Sequence, residues 1–204
     1  MFNLSELQHD ALVEMFNLGV GQAARAMSQI VHEEVTMSVP TILFQTRADC
    51  AKTLGSAEGR RICAITQHYD GAFNTDAILM FPEEKSLEIV RLMVGQTLSM
   101  EELSELEQEA MSEIGNIILN SCMSTLANIA GKELLGSLPI YHVGTSEELL
   151  GKEGSNWDGL VLTLKIDFSI EKHQIHGYVA FLLDLTALQD LRHYIDSYLR
   201  GIGS

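Results

Sequence analysis

Apolar positions recur at helical spacing twice along the chain. The first series is Leu12, Met15, Gly19, Ala23, Ala26 and Ile30; the second is Ala110, Ile114, Ile117, Met123, Leu126 and Ile129. Each predicts an amphipathic helix of roughly 25 residues. Ser5 with Gln8, and Ser104 with Glu107, have the spacing of a capping box and mark the two helix starts. Each helix is followed by β-prone runs. Residues 35–46 and 134–145 carry Pro40 and Pro139, which place those strands at an edge or a kink. Residues 60–69 and 75–81, then 160–169 and 173–183, predict two further strands per half. Helices over Pro82–Val94 and Thr186–Leu199 close the halves, the second with Thr186 and Gln189 as a capping box. The Gly-, Ser- and charge-rich stretches Asp49–Gly59 and Glu147–Gly159 are expected to be mobile loops.

The chain is written twice. At an offset of 99, residues 4–46 align without a gap to residues 103–145 with twelve identities. They include Leu4–Leu7, Glu14, Asn17, Ser38, Pro40 and Thr46 against Leu103–Leu106, Glu113, Asn116, Ser137, Pro139 and Thr145. A weaker echo pairs Leu87, Val90 and Val94 with Leu188, Leu191 and Ile195. The expected fold class is therefore α+β with a pseudo-twofold internal repeat: one antiparallel sheet from both halves, two long helices and two short ones. One domain, residues 1–204, is expected, made of repeats of about 1–99 and 100–204.

Composition narrows the function classes. With 46% hydrophobic residues there is ample material for a core, and 13 basic against 28 acidic residues leave a net charge of −15. That sign repels nucleic acid and anionic membranes and suits a partner with a basic face; the plainer account is solubility. Cys50, Cys63 and Cys122 form no CxxC and read as free thiols of a reducing compartment. The first ten residues lack the features of a signal peptide. The uncharged run Ile114–Gly131 holds Asn116, Asn120, Ser121, Ser124, Thr125 and Asn128, too polar for insertion in a membrane. The expected address is the cytoplasm.

Candidate chemistry sits on the long helices. Glu14 and Asn17, like Glu113 and Asn116, are three apart, so each pair shares a helix face. Asp10 extends the first patch, and Asn120 the second. Both patches lie off the apolar stripe. Asn is a poor mid-helix residue because its amide competes for backbone hydrogen bonds, so its repetition suggests use. A solvated polar face, or an Asn buried against its mate, is the structural alternative. An amide can orient a water, and a carboxylate can hold a lysine or act as a weak base. Together they make no complete hydrolase, but they suffice if a partner brings the electrophile, the metal and a lysine.

The spacing Asp10-x3-Glu14-x2-Asn17-x22-Pro40 resembles the signature of the CheC phosphatase family of bacterial chemotaxis (CheC/CheX/FliY type, closest to CheC). Glu109-x3-Glu113-x2-Asn116-x22-Pro139 repeats it, with Glu109 where the family usually has Asp or Ser. Two full motifs look more like CheC than like the CheX branch. The resemblance implies dephosphorylation of the phospho-aspartate of a CheY-like response regulator, with Glu14, Asn17, Glu113 and Asn116 catalytic and Asp10 and Glu109 supporting. Each Glu would pair with the regulator's active-site lysine, and each Asn would position water in line with phosphorus. Mg²⁺ would belong to the regulator, with no intrinsic metal, and CheD is a further partner of such proteins. The rival class is a binding module that captures phosphorylated CheY or CheD without hydrolysis. A pure adaptor has no need of the amide, which favours the enzyme.

Other signals are discounted. Gly19–Ala24 contains a GxG with no strand before it, so close helix packing explains it better than a nucleotide. His173 and His176 point to opposite faces of a strand and make a poor metal pair. Cys63 and Cys122 fall in apolar runs. Trp157 sits in a predicted loop and has no functional reading.

Overall fold

A helix begins where Ser5 accepts the Gln8 N–H on its hydroxyl and gives its own N–H to the Gln8 side chain, at 3.2 and 2.9 Å. This closed capping box opens α1 (Glu6–Val31). The computed structural model describes residues 3–54, 61–71, 74–94, 98–150, 159–170 and 173–202. After α1 come β1 (Val35–Met37), β2 (Thr41–Gln45), α2 (Arg47–Leu54), β3 (Arg61–Gly71), β4 (Thr75–Pro82) and α3 (Glu83–Val94). The second half follows with α4 (Met100–Ala130), β5 (Leu134–Gly136), β6 (Ile140–Thr145), α5 (Ser146–Leu150), β7 (Leu160–Ile170), β8 (His173–Leu183) and α6 (Leu185–Ile202).

Eight strands form one antiparallel sheet in the order β1-β7-β8-β4-β3-β5, with β2 also on β7 and β6 also on β3. The halves exchange their edges: β1 and β2 pair with a strand of the second half, and β5 and β6 with one of the first. At the centre Leu79 of β4 faces Val179 of β8, its counterpart in the repeat, so the pseudo-twofold passes between them. One core lies between this sheet and the helices α1, α3, α4 and α6. A smaller one on the other face packs Cys50, Ala51 and Leu150 of α2 and α5 on Ile62, Ala64, Ile78, Met80, Val161 and Ala180. The class, α+β with an antiparallel sheet, is as expected.

The prolines break their strands in two, and a serine repairs each break. Ser38 gives its N–H to the Asp167 carbonyl and takes the Asp167 N–H on its hydroxyl, both at 3.0 Å. Ser137 does the same with His68, at 2.8 and 3.0 Å. Backbone groups left without a ladder partner are thereby satisfied.

Several expectations need correction. The cap of α4 is Ser99, not Ser104, with Glu102 closing the box. Leu103 is fully buried, which needs the helix already running at that residue. Glu107 instead takes the Ser86 hydroxyl and, at 2.9 Å, the Tyr141 hydroxyl. Asp184, not Thr186, caps α6, accepting the Ala187 N–H at 2.8 Å. Pro82 ends β4 opposite Ile62, and α3 begins one residue later. Parts of both expected loops are helical. Thr46 accepts the Asp49 N–H at 3.1 Å and Thr145 the Glu148 N–H at 3.3 Å, starting α2 and α5. These matched threonines head T-x-x-D and T-x-x-E caps, so there are two more short helices than expected. Residues 55–60 and 151–158, Trp157 among them, lie outside the described residues. The buried stripes are wider than drawn. Met27 and Val31 are buried where Ala26 and Ile30 are half-buried, and Ile118, Leu119 and Cys122 where Ile117 is half-buried. Each long helix packs on the sheet and on the other helix at once, which a single stripe does not capture.

Candidate functional site

On α1 the buried residues Ala11, Leu12, Met15 and Phe16 turn one face inward, and Phe16 stacks on Phe181 with centroids 5.4 Å apart. Glu14 is thereby left exposed, with Asn17 half-buried one turn on and Asp10 exposed one turn before. His9 Nδ1 lies 3.9 Å from Asp10. On α4 Ala110, Met111, Ile114 and Gly115 are buried; Glu109 and Glu113 are exposed and Asn116 is half-buried. Both Glu–Asn pairs therefore keep an accessible carboxylate beside an amide sunk partly into the helix face, about 5–6 Å apart at Cβ. Pro40 is buried and Pro139 half-buried, each at its strand break.

The two patches differ beneath the surface. Among the described residues the Asn17 side chain makes no hydrogen bond. Asn116 Oδ1 accepts from Asn120 Nδ2 at 2.6 Å and from Gln67 Nε2 at 3.2 Å. Gln67 Nε2 also donates to the Ser137 carbonyl at 2.9 Å, and the Tyr69 hydroxyl donates to Asn120 Oδ1 at 2.8 Å. Burial raises the Tyr69 phenol above its ordinary pKa and keeps it protonated. Contact between α4 and β3 comes from Gly115, where a Cβ would collide with Ile65. Sequence reasoning found Asn120 but missed Gln67, Tyr69 and Ser137. The available signal was Gln67 itself, a polar residue on the inward face of an apolar strand and only 2% exposed.

Gly19 sits where α1 meets α4, whereas a Cβ on Gly21 would meet nothing within 4 Å. His176 holds Asp167 at 2.7 Å across β7 and β8. Cys50, Cys63 and Cys122 are buried free thiols; burial pushes those of Cys63 and Cys122 up to about 12, which suits core packing, not nucleophilic attack. Among the described residues no three His, Cys, Asp or Glu side chains cluster as a metal site, and no helix is long and apolar enough to cross a membrane.

No protein-family model matches the chain. It is 27% identical over 200 residues to the CheY-P phosphatase CheC of Bacillus subtilis (strain 168), covering 94% of this chain and 95% of that protein. It is 23% identical over 192 residues to the flagellar motor switch phosphatase FliY of the same organism, covering 93% of this chain and 49% of FliY, about half its length. Among solved structures, Thermotoga maritima FliY shares the fold, with a TM-score of 0.77 at 18% identity, covering 96% of this chain and 98% of that one. In sequence the chain is thus similar to the CheY-P phosphatase CheC over nearly its whole length, and in fold to FliY.

Proposed function

We propose that this chain is a phosphatase that hydrolyses the phospho-aspartate of a CheY-like response regulator, through Glu14 with Asn17 and Glu113 with Asn116. The observation that carries this reading is the duplicated arrangement: on each long helix an exposed carboxylate lies one turn from a half-buried amide. The similarity to CheC over nearly the whole chain supports it.

The chemistry asks little of the protein. Water attacks phosphorus, the P–O bond to the aspartyl carboxyl breaks, and a free carboxylate and inorganic phosphate leave. Orientation and electrostatics dominate such a transfer. The Asn amide holds the water in line, and the Glu carboxylate meets the regulator's active-site lysine and fixes the helix in its cleft. The regulator would hold the Mg²⁺ that neutralises phosphoryl charge in its own site. Asp10 and Glu109, one turn before each Glu, support the same surface. A cytoplasmic address follows from this substrate. CheD is the second partner we propose, on the acidic balance of the chain alone.

The test is phosphate release from a phosphorylated CheY-type regulator with and without the protein. The reading expects release to quicken at substoichiometric protein and to need Mg²⁺. Binding of the phosphorylated regulator at an unchanged decay rate would make the chain an adaptor instead.

A further inference from the structure

We infer that Gln67 and Asn120 are positioning residues for Asn116, holding its amide as a preorganised hydrogen-bond donor in the second site, with no counterpart in the first. This rests on the phosphatase reading above and says how its two sites differ.

The direction of every bond follows from one anchor. The Ser137 backbone carbonyl can only accept, so the Gln67 atom facing it at 2.9 Å is the amide nitrogen. That same Nε2 faces Asn116 at 3.2 Å, which must therefore present its oxygen. Asn120 approaches this oxygen at 2.6 Å and so presents its nitrogen, leaving its own oxygen for the Tyr69 hydroxyl at 2.8 Å. Both lone pairs of Asn116 Oδ1 are then taken. Asn116 Nδ2 has no partner among the described residues and is not a buried, unsatisfied atom, so this nitrogen is open to solvent. The amide can give hydrogen bonds to a water or phosphoryl oxygen, and Glu113 is left as the acceptor of the pair.

The surroundings are built around this network. Gln67 and Tyr69 are each 2% exposed. A Cβ on Gly136 would stand 2.9 Å from the Tyr69 ring and 3.3 Å from Asn120 Oδ1, so any side chain there would press on both. The first half has none of these groups. At the offset of the repeat, Gln67, Tyr69, Asn120 and Gly136 correspond to Ile166, Phe168, Gly21 and Met37. Ile166 and Phe168 are core residues. Asn17 must therefore lose rotamer freedom when the regulator arrives, whereas Asn116 has already lost it. Ordering one such side chain corresponds to a difference of several-fold to about tenfold in turnover.

Two measurements decide this. Side-chain ¹⁵N relaxation reads the mobility of the amides without any assay of activity: Asn116 should be ordered and Asn17 mobile, Gln67→Met and Asn120→Ala should each loosen Asn116, and the two changes together should release it to the mobility of Asn17. In an Asn17→Ala background, which leaves only the second site, Gln67→Met and Asn120→Ala should each lower kcat by several-fold to about tenfold and change KM for the regulator by less than about twofold. Thermal melts identify any variant that fails to fold; Asn120, half-buried on a helix, carries the test if Gln67→Met does not. The inference is overturned if Asn116 is as mobile as Asn17 in the unmodified chain, or if folded variants keep the original kcat. A chain that never speeds phosphate release would sink the phosphatase reading, and the relaxation data would still decide whether Gln67 and Asn120 hold Asn116.

Discussion

Gly19 of α1 faces Cys122 of α4 so closely that a Cβ on Gly19 would stand 2.8 Å from the Cys122 Cα and 3.1 Å from the Ser121 carbonyl oxygen. Those are backbone atoms of a packed helix and cannot swing aside. Gly19→Ala should therefore destabilise by about 1–3 kcal/mol despite the better helix propensity of Ala. Gly21, two residues on, has nothing within 4 Å, so Gly21→Ala should stabilise by up to about 1 kcal/mol. Denaturant titration of the two variants checks the opposite signs. A stabilised Gly19→Ala would mean that α1 and α4 are not in such contact.

Division of labour between the sites can be read from single and double variants. Asn17→Ala and Asn116→Ala should each leave partial phosphatase activity, and the double variant should lose about tenfold to a thousandfold, the range for one positioning group per site. Asn116→Ala should cost the larger share. Binding of the phosphorylated regulator, measured in parallel, should survive. A double variant at full rate would leave the amides without a role.

Glu14→Ala and Glu113→Ala should weaken docking as well as turnover, because each carboxylate is exposed and available to a lysine across the interface. Titration calorimetry at low and high salt is the check. The loss of affinity should shrink as salt screens the pair. Unchanged affinity at low salt would remove the Glu–lysine contact from the mechanism.

Stability should depend on pH through His68. Its Nδ1 lies 2.8 Å from Asp76 Oδ1 across β3 and β4, and its Nε2 lies 3.3 Å from Asp70. The hydrogen bond to Asp76 is the main cause of its raised pKa. A raised folded-state value means stabilisation fully present below the unfolded pKa, about 6.5, and lost as pH rises through the folded value. Asp76→Asn should therefore destabilise the protein in mild acid and have a smaller effect at pH 8. Chemical denaturation at both pH values tests this, and an equal penalty at both would show that the pair is not linked to protonation. The pair is about half exposed, so the effect should be small.

Much of this protein was written in local periodicity. Helical spacing of apolar residues marked both long helices, and β-prone runs marked the strands. Two carboxylate–amide pairs three residues apart, off the apolar stripe, were legible because position on a helix face depends only on spacing. Duplication of the pattern at an offset of 99 implied the pseudo-twofold. Caps were legible in type but not always in place, since Ser99 and Ser104 both offer the same box, and burial of Leu103 selects the first. Only the tertiary structure decided that the halves exchange edge strands, because pairing partners lie from 63 (Gly71 and Leu134) to 135 (Val35 and Ile170) residues apart and short strands carry no address. It alone joined Gln67 to Asn116. A polar side chain on the inward face of a strand announces that it needs a partner, but which partner depends on how closely two elements approach. Here Gly115 and Gly136 set that approach, the one letting α4 sit on β3 and the other letting β5 pass over Tyr69 and Asn120. The first half has Phe16 and Met37 at those positions, so the same Glu–Asn pattern folds there into a patch whose amide makes no hydrogen bond among the described residues.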